Sequence, residues 1–334
     1  MAAAALQTLA TYRARHARAS QDVFEKGFHV LEQRSLQKLG DEAWPFLEQF
    51  ALAALDIGRT DVADDCIREL ADQFPDSPRV DILRGIRMEA TEPPETCLKY
   101  YEQIQDAEAP NATIWKRRIS VLRRTGQTAQ AVAELCQLLD TFYNDAEGWV
   151  ELADLYAGCG QYTAALQSLS HALLLAPQNA FYALQFAETA HSAGDVPLAL
   201  RTALVVVDMC DRDQAGAGGG GGGGGGAVKD SVPAGLAVRA WWAVKLCARQ
   251  LLAARNARAA KSSPGPKSTS TSTSSHSNKP ASAALASASD TPVPADLELI
   301  DRLATERVLT AYSAPERGRA PAGREVVLSF MKGA

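Results

Sequence analysis

The stretch that decides the fold is AEGWVELADLYAGCGQYTAALQSLSHALLLAPQN, residues 146–179. Gly160 lies near its middle, where glycine supplies the left-handed conformation that ends a helix and begins a turn. Ala165 follows in the second half, where only a small side chain lets two helix backbones approach closely. Pro177 stops the second half, because proline cannot continue a helix. The stretch therefore predicts two helices that pack against each other through a short turn.

The same pattern recurs every 34 residues over much of the chain. Five windows align without a gap: 44–77, 78–111, 112–145, 146–179 and 180–213. The twentieth position of each window holds a small residue: Ala63, Cys97, Ala131, Ala165 and Ala199. The fifteenth position is glycine in four windows, whereas the second window has Glu92 and is interpreted as a degenerate repeat. Helix pairs repeated in this way bury their apolar faces by stacking, so the array predicts one solenoid.

The repeat length and spacing resemble the tetratricopeptide (TPR) consensus, W-LG-Y-A-F-A-P. The matching residues in the window 146–179 are Trp149, Leu152, Ala153, Tyr156, Ala165, Leu169, Ala172 and Pro177. This resemblance implies an all-α fold: a right-handed TPR solenoid of helix-turn-helix pairs, interrupted by disordered inserts.

The segments outside the repeats predict caps, inserts and a tail. Residues 1–40 contain a predicted N-terminal capping helix, with apolar side chains at helical spacing between Ser20 and Leu39 and a break at Gly40. Beyond residue 213, composition predicts a glycine-rich flexible insert at 214–230, a capping helix or sixth repeat at 231–260, a disordered linker rich in Ser, Thr, Ala and Pro at 261–293, and a C-terminal helix and tail at 294–334.

Composition and charge exclude several classes of function. The net charge of -5 provides no field that would hold a polyanion, so we expect no nucleic-acid partner. No apolar run approaches the roughly 20 residues needed to span a bilayer. The six cysteines form no CxxC pair and no secretory signal precedes them, which indicates reduced cytosolic thiols. The first 21 residues contain arginines and no acid, as a mitochondrial presequence does, but Ser20 and Asp22 open a helical pattern that favours a folded segment.

The sequence contains no pattern typical of an active site. Its five histidines are isolated from one another and from other residues at metal-ligand spacing. It has no phosphate-binding loop, nucleophile elbow or dinucleotide fingerprint, and the run of nine glycines at 218–226 follows no predicted strand. We therefore expect no catalysis, no cofactor and no metal.

In a TPR array, partners usually bind in the concave groove, which is lined by positions two, five, nine and twelve of the first helix of each pair. The candidate groove residues are Lys116 and Arg123 with the adjacent Arg124 in the third window, Val150 and Asp154 in the fourth, and Phe181, Leu184 and Glu188 in the fifth. The third window predicts a basic centre in a groove of mixed sign. An equal alternative for its three basic residues is a solvated helix face.

Four stretches resemble a more specific family. LGDEAW at 39–44, ALDIGRTDVA at 54–63, QFPDSPRV at 73–80 and WVELADLY at 149–156 are similar to the ER membrane protein complex subunit 2 family, within a resemblance that covers roughly residues 20–260. The polyglycine run and the long Ser/Thr-rich segment depart from that family.

That resemblance implies a non-catalytic cytosolic scaffold of a complex that inserts transmembrane segments, including tail-anchored proteins, into the endoplasmic reticulum. The implied partners are cytosolic segments of membrane-spanning sister subunits and a soluble cytosolic subunit. The chain would then be peripheral, at the cytoplasmic face of the membrane, and attached only through its partners. The alternative from the repeats alone is a soluble co-chaperone or adaptor that binds peptide segments in the groove.

Overall fold

The computed structural model describes residues 2–32, 40–107, 111–217, 232–262, 290–313 and 323–332. These residues form fifteen α-helices and no β-strand. The all-α TPR fold class predicted from the repeat is confirmed. The chain divides into two compact units, Met1–Leu138 and Leu139–Ala334.

The helices of the first unit follow one another with short connections. They are α1 (Ala2–Ala14), α2 (Ser20–Glu32), α3 (Ala43–Ile57), α4 (Thr60–Gln73), α5 (Pro78–Thr91), α6 (Pro94–Ala107) and α7 (Ala112–Arg124). A 3-10 turn, Gly40–Glu42, precedes α3, and α8 (Thr128–Thr141) crosses the boundary between the units.

The second unit continues the same pattern. Its helices are α9 (Ala146–Gly158), α10 (Tyr162–Leu175), α11 (Ala180–Ser192), α12 (Val196–Ala217), α13 (Leu236–Ser262), α14 (Leu297–Ala311) and α15 (Arg324–Lys332). Two of them, α12 and α13, are longer than the others. The helix α12 runs past the predicted start of the glycine-rich insert at residue 214, so that boundary was predicted too early.

The small residues of the repeat lie where the helices of each pair meet. Their side chains are almost fully inaccessible, at 0% exposure for Ala63, Cys97, Ala131 and Ala165 and 1% for Ala199. In the second unit, Ala165 of α10 shares a buried cluster with Ala153 of α9. The predicted packing role of this position is confirmed.

The turn glycines adopt the left-handed conformation that their position predicts, with φ between 73° and 87° at Gly58, Gly126, Gly160 and Gly194. The second window, which lacks this glycine, ends its first helix differently. Glu92 is extended, with φ -103° and ψ 158°, and α6 begins two residues later at Pro94. Because proline is well suited to the first turn of a helix, this window keeps its pair without the glycine turn.

The N-terminal region contains two helices where the sequence predicted one. The chain turns after α1 at His16, whose φ of 49° is left-handed. The Tyr12 hydroxyl of α1 donates to Asp22 of α2 at 2.6 Å and fastens the two helices together. The alanine-rich start shows no regular apolar stripe, which is why the sequence did not reveal α1. The helix α2 is described from Ser20 to Glu32, and the rest of the segment predicted to extend to Leu39, residues 33–39, lies outside the described ranges.

Aromatic rings fill the core of the first unit. Phe46 and Phe50 of α3 are 1% and 0% exposed, and the Phe50 ring stacks on Phe24 of α2 with centroids 5.3 Å apart. A Cβ atom on Gly27 would overlap the Phe50 ring, so α2 approaches α3 closely only because residue 27 is glycine. The helix α2 therefore covers the apolar face of α3.

The helix α13 joins the core of the second unit. Lys245 of α13 is 5% exposed and donates to Asp301 Oδ1 at 2.6 Å and to Thr305 Oγ1 at 2.8 Å, both on α14. A buried ammonium is stable only when it is paired and hydrogen-bonded, so this triad fixes α14 against α13. The predicted tail also contains a helix, α15, whose Phe330 ring lies 5.5 Å from that of Trp242 on α13.

Two predicted flexible segments are not covered by the structure. The glycine run at 218–226 and residues 263–289 of the linker lie outside the described ranges, so their disorder stays a prediction. Within the described ranges, no helix combines the length and the hydropathy that a bilayer crossing requires.

Replacing Ala165 with Phe should destabilise the second unit. Phenylalanine would have to fit where a methyl group fills the space between α9 and α10, and overpacking typically costs about 1 to 3 kcal/mol. Thermal unfolding followed by circular dichroism should show a lower Tm. Gln167→Phe, on the exposed side of the same helix, is the matched control and should melt close to the wild type. An Ala165→Phe protein that melts like the control would contradict the packing of this pair.

Candidate partner-binding surface

The helix α7 carries the basic residues of the third window. Asn111 caps its start, where its Oδ1 accepts from the backbone N–H of Thr113 at 3.0 Å. One face is anchored by Ile114, Ile119, Val121 and Leu122, each at most 1% exposed. The capped start and the apolar anchor fix the orientation of α7, whose five Lys and Arg side chains project in different directions around the helix.

Two of the predicted groove residues share one face of α7. Lys116 and Arg123 are seven residues apart, which is two helical turns, and so they project from the same side. Lys116 is half-buried and Arg123 is exposed. Because Arg123 also lies in the last turn, its positive charge interacts favourably with the negative end of the helix dipole.

Arg124 of α7 contacts the end of α5. Its Nη1 donates to the backbone carbonyl of Glu89, near the end of α5, at 3.1 Å. The last carbonyls of a helix lack partners within the helix, and a guanidinium satisfies one of them here. Arg124 therefore fastens α7 to α5, and its part in a partner-binding groove stays a prediction.

A polar network centred on Glu89 joins α5, α6 and α7. The Glu89 side chain is only 11% exposed and forms an ion pair with Arg117, whose Nη2 lies 2.9 Å from Oε2. The Tyr101 hydroxyl donates to Oε1 at 2.6 Å, and Arg117 Nε donates to the same oxygen at 3.1 Å. Each of the three helices supplies one member, so the network fixes the second window against the third.

The tyrosine of this network explains a glycine of the repeat. Tyr101 is 0% exposed, and a Cβ atom on Gly85 would overlap its ring. Burial raises the pKa of Tyr101 well above its usual value, and its hydrogen bond to the Glu89 carboxylate raises it further. Glu89 was not among the residues predicted from the sequence. It occupies position twelve of the second window, which is one of the four groove positions, so the repeat pattern could have identified it.

Other residues at groove positions also pair with a neighbouring helix of the same unit. In the first unit, Glu48 of α3 pairs with Arg79 of α5. In the second unit, both nitrogens of the Arg239 fork on α13 donate to the Glu188 carboxylate on α11 at 2.8 Å. Glu188 was predicted to contact a partner, and its carboxylate is instead held by α13.

The remaining candidates of the second unit differ in exposure. Leu184 is 1% exposed and lies in the core cluster that contains residues of α12 and α13, so it offers no surface to a ligand, contrary to the prediction. Val150 packs partly buried beside Ala153. Asp154 is exposed and accepts from Gln185 Nε2 at 3.4 Å. Phe181 is 49% exposed, which makes it the most accessible apolar side chain of the predicted set.

The described part of the chain offers no metal centre. No group of three or more His, Cys, Asp or Glu side chains within it lies close enough together to hold an ion.

Comparison with known proteins identifies relatives of the repeat region. The family described as the EMC2 TPR-like repeat domain matches residues 82–199. ER membrane protein complex subunit 2 of Xenopus tropicalis is 39% identical over 184 residues, which are 55% of this chain and 62% of the relative. The TPR repeat protein oca3 of Schizosaccharomyces pombe is 37% identical over 149 residues, which are 44% of this chain and 53% of the relative. These matches confirm the family resemblance, and the chain spans 53 to 62% of the length of these two relatives.

A solved structure supports the fold. The C-terminal part of a TPR repeat-containing protein from Cytophaga hutchinsonii is 11% identical, with 90% of this chain and 96% of that chain covered and a TM-score of 0.51. At this identity the likeness shows the TPR fold alone.

Replacing Tyr101 with Phe should weaken the first unit without changing its shape. The substitution removes only the hydroxyl that donates to Glu89, and hydrogen bonds to charged groups contribute about 1.5 to 3 kcal/mol. Urea unfolding at pH 7 should show a lower free energy of unfolding. Tyr100→Phe is the matched control, because the Tyr100 hydroxyl donates to the neutral Asp81 carbonyl at 3.2 Å and its loss should cost less.

The deficit of Tyr101→Phe should also depend on pH. The raised pKa of Tyr101 means that the folded protein keeps the hydroxyl proton at a pH where the unfolded chain has lost it. The unfolding free energy that this tyrosine contributes is thus fully present below about pH 10 and falls above it. The difference between wild type and Tyr101→Phe should be smaller at about pH 11 than at pH 7. A difference that stays constant or grows over this range would contradict the buried, hydrogen-bonded phenol.

Proposed function

We propose, from the match of residues 82–199 to the EMC2 TPR-like repeat domain, that this chain is a non-catalytic scaffold subunit of an ER membrane protein complex. It would hold cytosolic segments of membrane-spanning sister subunits together with a soluble cytosolic subunit. In that position it would support the insertion of transmembrane segments, including those of tail-anchored proteins. The observation that carries the proposal is its similarity to proteins named ER membrane protein complex subunit 2.

The architecture supports a binding role. Polar contacts such as Glu89 with Arg117 fix adjacent helix pairs, so the side chains on the pairs are presented in a fixed order. The basic face of α7, with Lys116 and Arg123, provides charge for an acidic or carbonyl-rich segment. Attachment to the membrane would then come from the partners, at the cytoplasmic face of the endoplasmic reticulum.

The alternative, a soluble co-chaperone or adaptor, receives less support from the contacts. Such a protein needs polar groove side chains that are available to grip a peptide. Here Glu48 and Glu188 are paired with Arg79 of α5 and Arg239 of α13. These two carboxylates are therefore held within the chain and are less available to a peptide client.

Membrane fractionation distinguishes the two functions. A tagged chain expressed in cells should sediment with endoplasmic reticulum membranes and should be released by alkaline carbonate, because only partner proteins attach it to the membrane. A chain that remains in the supernatant without any treatment would contradict the scaffold function and support the soluble adaptor.

Reversing the charge of the α7 face should release the partner. In Lys116→Glu with Arg123→Glu, two cations that face an acidic or carbonyl-rich segment become anions. Each charge-assisted hydrogen bond contributes about 1.5 to 3 kcal/mol when sheltered from water, so binding should weaken well over tenfold. The measurement is the recovery of membrane-spanning proteins with the tagged chain from a detergent extract.

The matched control carries the same change in net charge at exposed positions on the second helices. Arg68→Glu with Lys99→Glu, on α4 and α6, should bind like the wild type, since both side chains are exposed. Circular dichroism should show unchanged helix content in both double variants. Wild-type recovery with the α7 variant would make Lys116 and Arg123 a solvated face with no role in assembly.

A further inference from the structure

A cleft in the first unit lies apart from the groove positions of α7. It has a volume of about 450 Å³ and is bordered by residues of α6, α7 and α8. Its lining residues are Gln105, Trp115, Arg118, Gln130, Ala133, Glu134 and Gln137. Clefts of about 300 to 1,000 Å³ are typical of sites that enclose a small chemical group.

The carboxylate of Glu134 is buried and half satisfied. Glu134 is 8% exposed, and its Oε1 is paired with Arg118 Nη2 at 3.2 Å and accepts from Gln130 Nε2 at 3.2 Å. Its other oxygen, Oε2, is inaccessible to solvent and has no hydrogen-bond donor among the described residues. Buried carboxylate oxygens are normally hydrogen-bonded, so this oxygen marks a place for a donor from outside the chain.

The charges around the cleft define what kind of donor fits. Arg118 faces two carboxylates, Glu134 at 3.2 Å and Glu102 at 4.0 Å, so one guanidinium is shared by two negative groups. Its Nη1 is also held by Gln105 Oε1 at 2.9 Å. The two carboxylates and the one guanidinium together carry a net negative charge. The half-buried indole of Trp115 provides an aromatic face for a cation or for an aliphatic stem.

We propose that this cleft binds a lysine or arginine side chain from an extended segment of a partner protein. The cation pairs with the Glu134 carboxylate after that side chain turns Oε2 toward the cleft, and the methylene stem lies on Trp115. The carboxamides of Gln130 and Gln137 at the exposed rim can donate to and accept from a peptide backbone, which favours a side chain on a segment over a free amine. The site is defined by the residues of the cleft and is independent of the scaffold function.

Peptide titration of the purified full-length chain tests the site. The probes are acetylated and amidated tripeptides Ala-Lys-Ala, Ala-Arg-Ala and Ala-norleucine-Ala, and the signal is the indole N–H of Trp115 in nitrogen-proton NMR spectra, assigned with Trp115→Phe. The two basic peptides should bind with a Kd on the order of 1 mM, as expected for a single anchoring side chain. The norleucine peptide, which has the same stem without the charge, should bind at least about tenfold more weakly.

Two variants and one further probe distinguish the site from non-specific attraction. Glu134→Gln should bind the basic peptides about tenfold more weakly than the wild type does. Glu95→Gln, which removes one exposed charge from α6, should bind them like the wild type. Ala133→Leu leaves the Glu134 pair with Arg118 intact but fills the cleft, so it should fold normally and lose binding. The n-butylammonium ion, which lacks a backbone, should bind about fivefold more weakly than the lysine peptide.

Three results would overturn the proposal. Equal binding of the norleucine and lysine peptides would show that no charge is recognised. Unchanged lysine-peptide binding by both Glu134→Gln and Ala133→Leu would place binding elsewhere on the surface. Equal affinity for n-butylammonium and the lysine peptide would assign the cleft to a free amine and not to a protein segment.

Discussion

The close contact of two helices in each pair depends on one small residue per repeat. At Ala63, Ala165 and Ala199 the side chain is at most 1% exposed, and nothing larger than a methyl group separates the helices there. In the second window the same position is Cys97, and the packing around it also involves Tyr101, Gly85 and Glu89. Tyr101 fits beside α5 because residue 85 is glycine, and its buried hydroxyl then requires a partner, which Glu89 provides.

The buried packing of Tyr101 and Glu89 in turn determines which side chains reach the surface. The Glu89 carboxylate must be neutralised in its buried position, and Arg117 of the next repeat does this at 2.9 Å. In the second unit, Glu188 and Arg239 repeat the arrangement between α11 and α13. Residues that the repeat pattern places in the groove therefore also fix the order of the helices. Under the proposed function, partner binding would use solvent-accessible side chains, such as Arg123 on α7 in the first unit and Phe181 in the second.

The repeated elements could be predicted from the sequence because they obey local rules. A small residue, a turn glycine and a helix-ending proline at fixed spacing define a pair without knowledge of its neighbours. The helix α1 was missed because its alanine-rich sequence shows no regular apolar stripe, and α15 was missed because it depends on a distant contact, Phe330 with Trp242. The site was less predictable for the same reason. Leu184 and Arg124 occupy or adjoin groove positions by count, but Leu184 is buried in a cluster with residues of α13, and Arg124 is drawn to the carbonyl end of α5.

The central claim, that the chain is a fixed subunit of a membrane complex, is tested most directly by the stoichiometry of what it binds. The measurement is purification of a tagged chain from a mild detergent extract, followed by quantitative mass spectrometry of the proteins recovered with it. If the chain is a fixed subunit, several membrane-spanning proteins and a soluble protein should be recovered with it in constant, near-integral ratios to the chain. Recovery of the chain alone, or with chaperones in small and variable amounts, would contradict it.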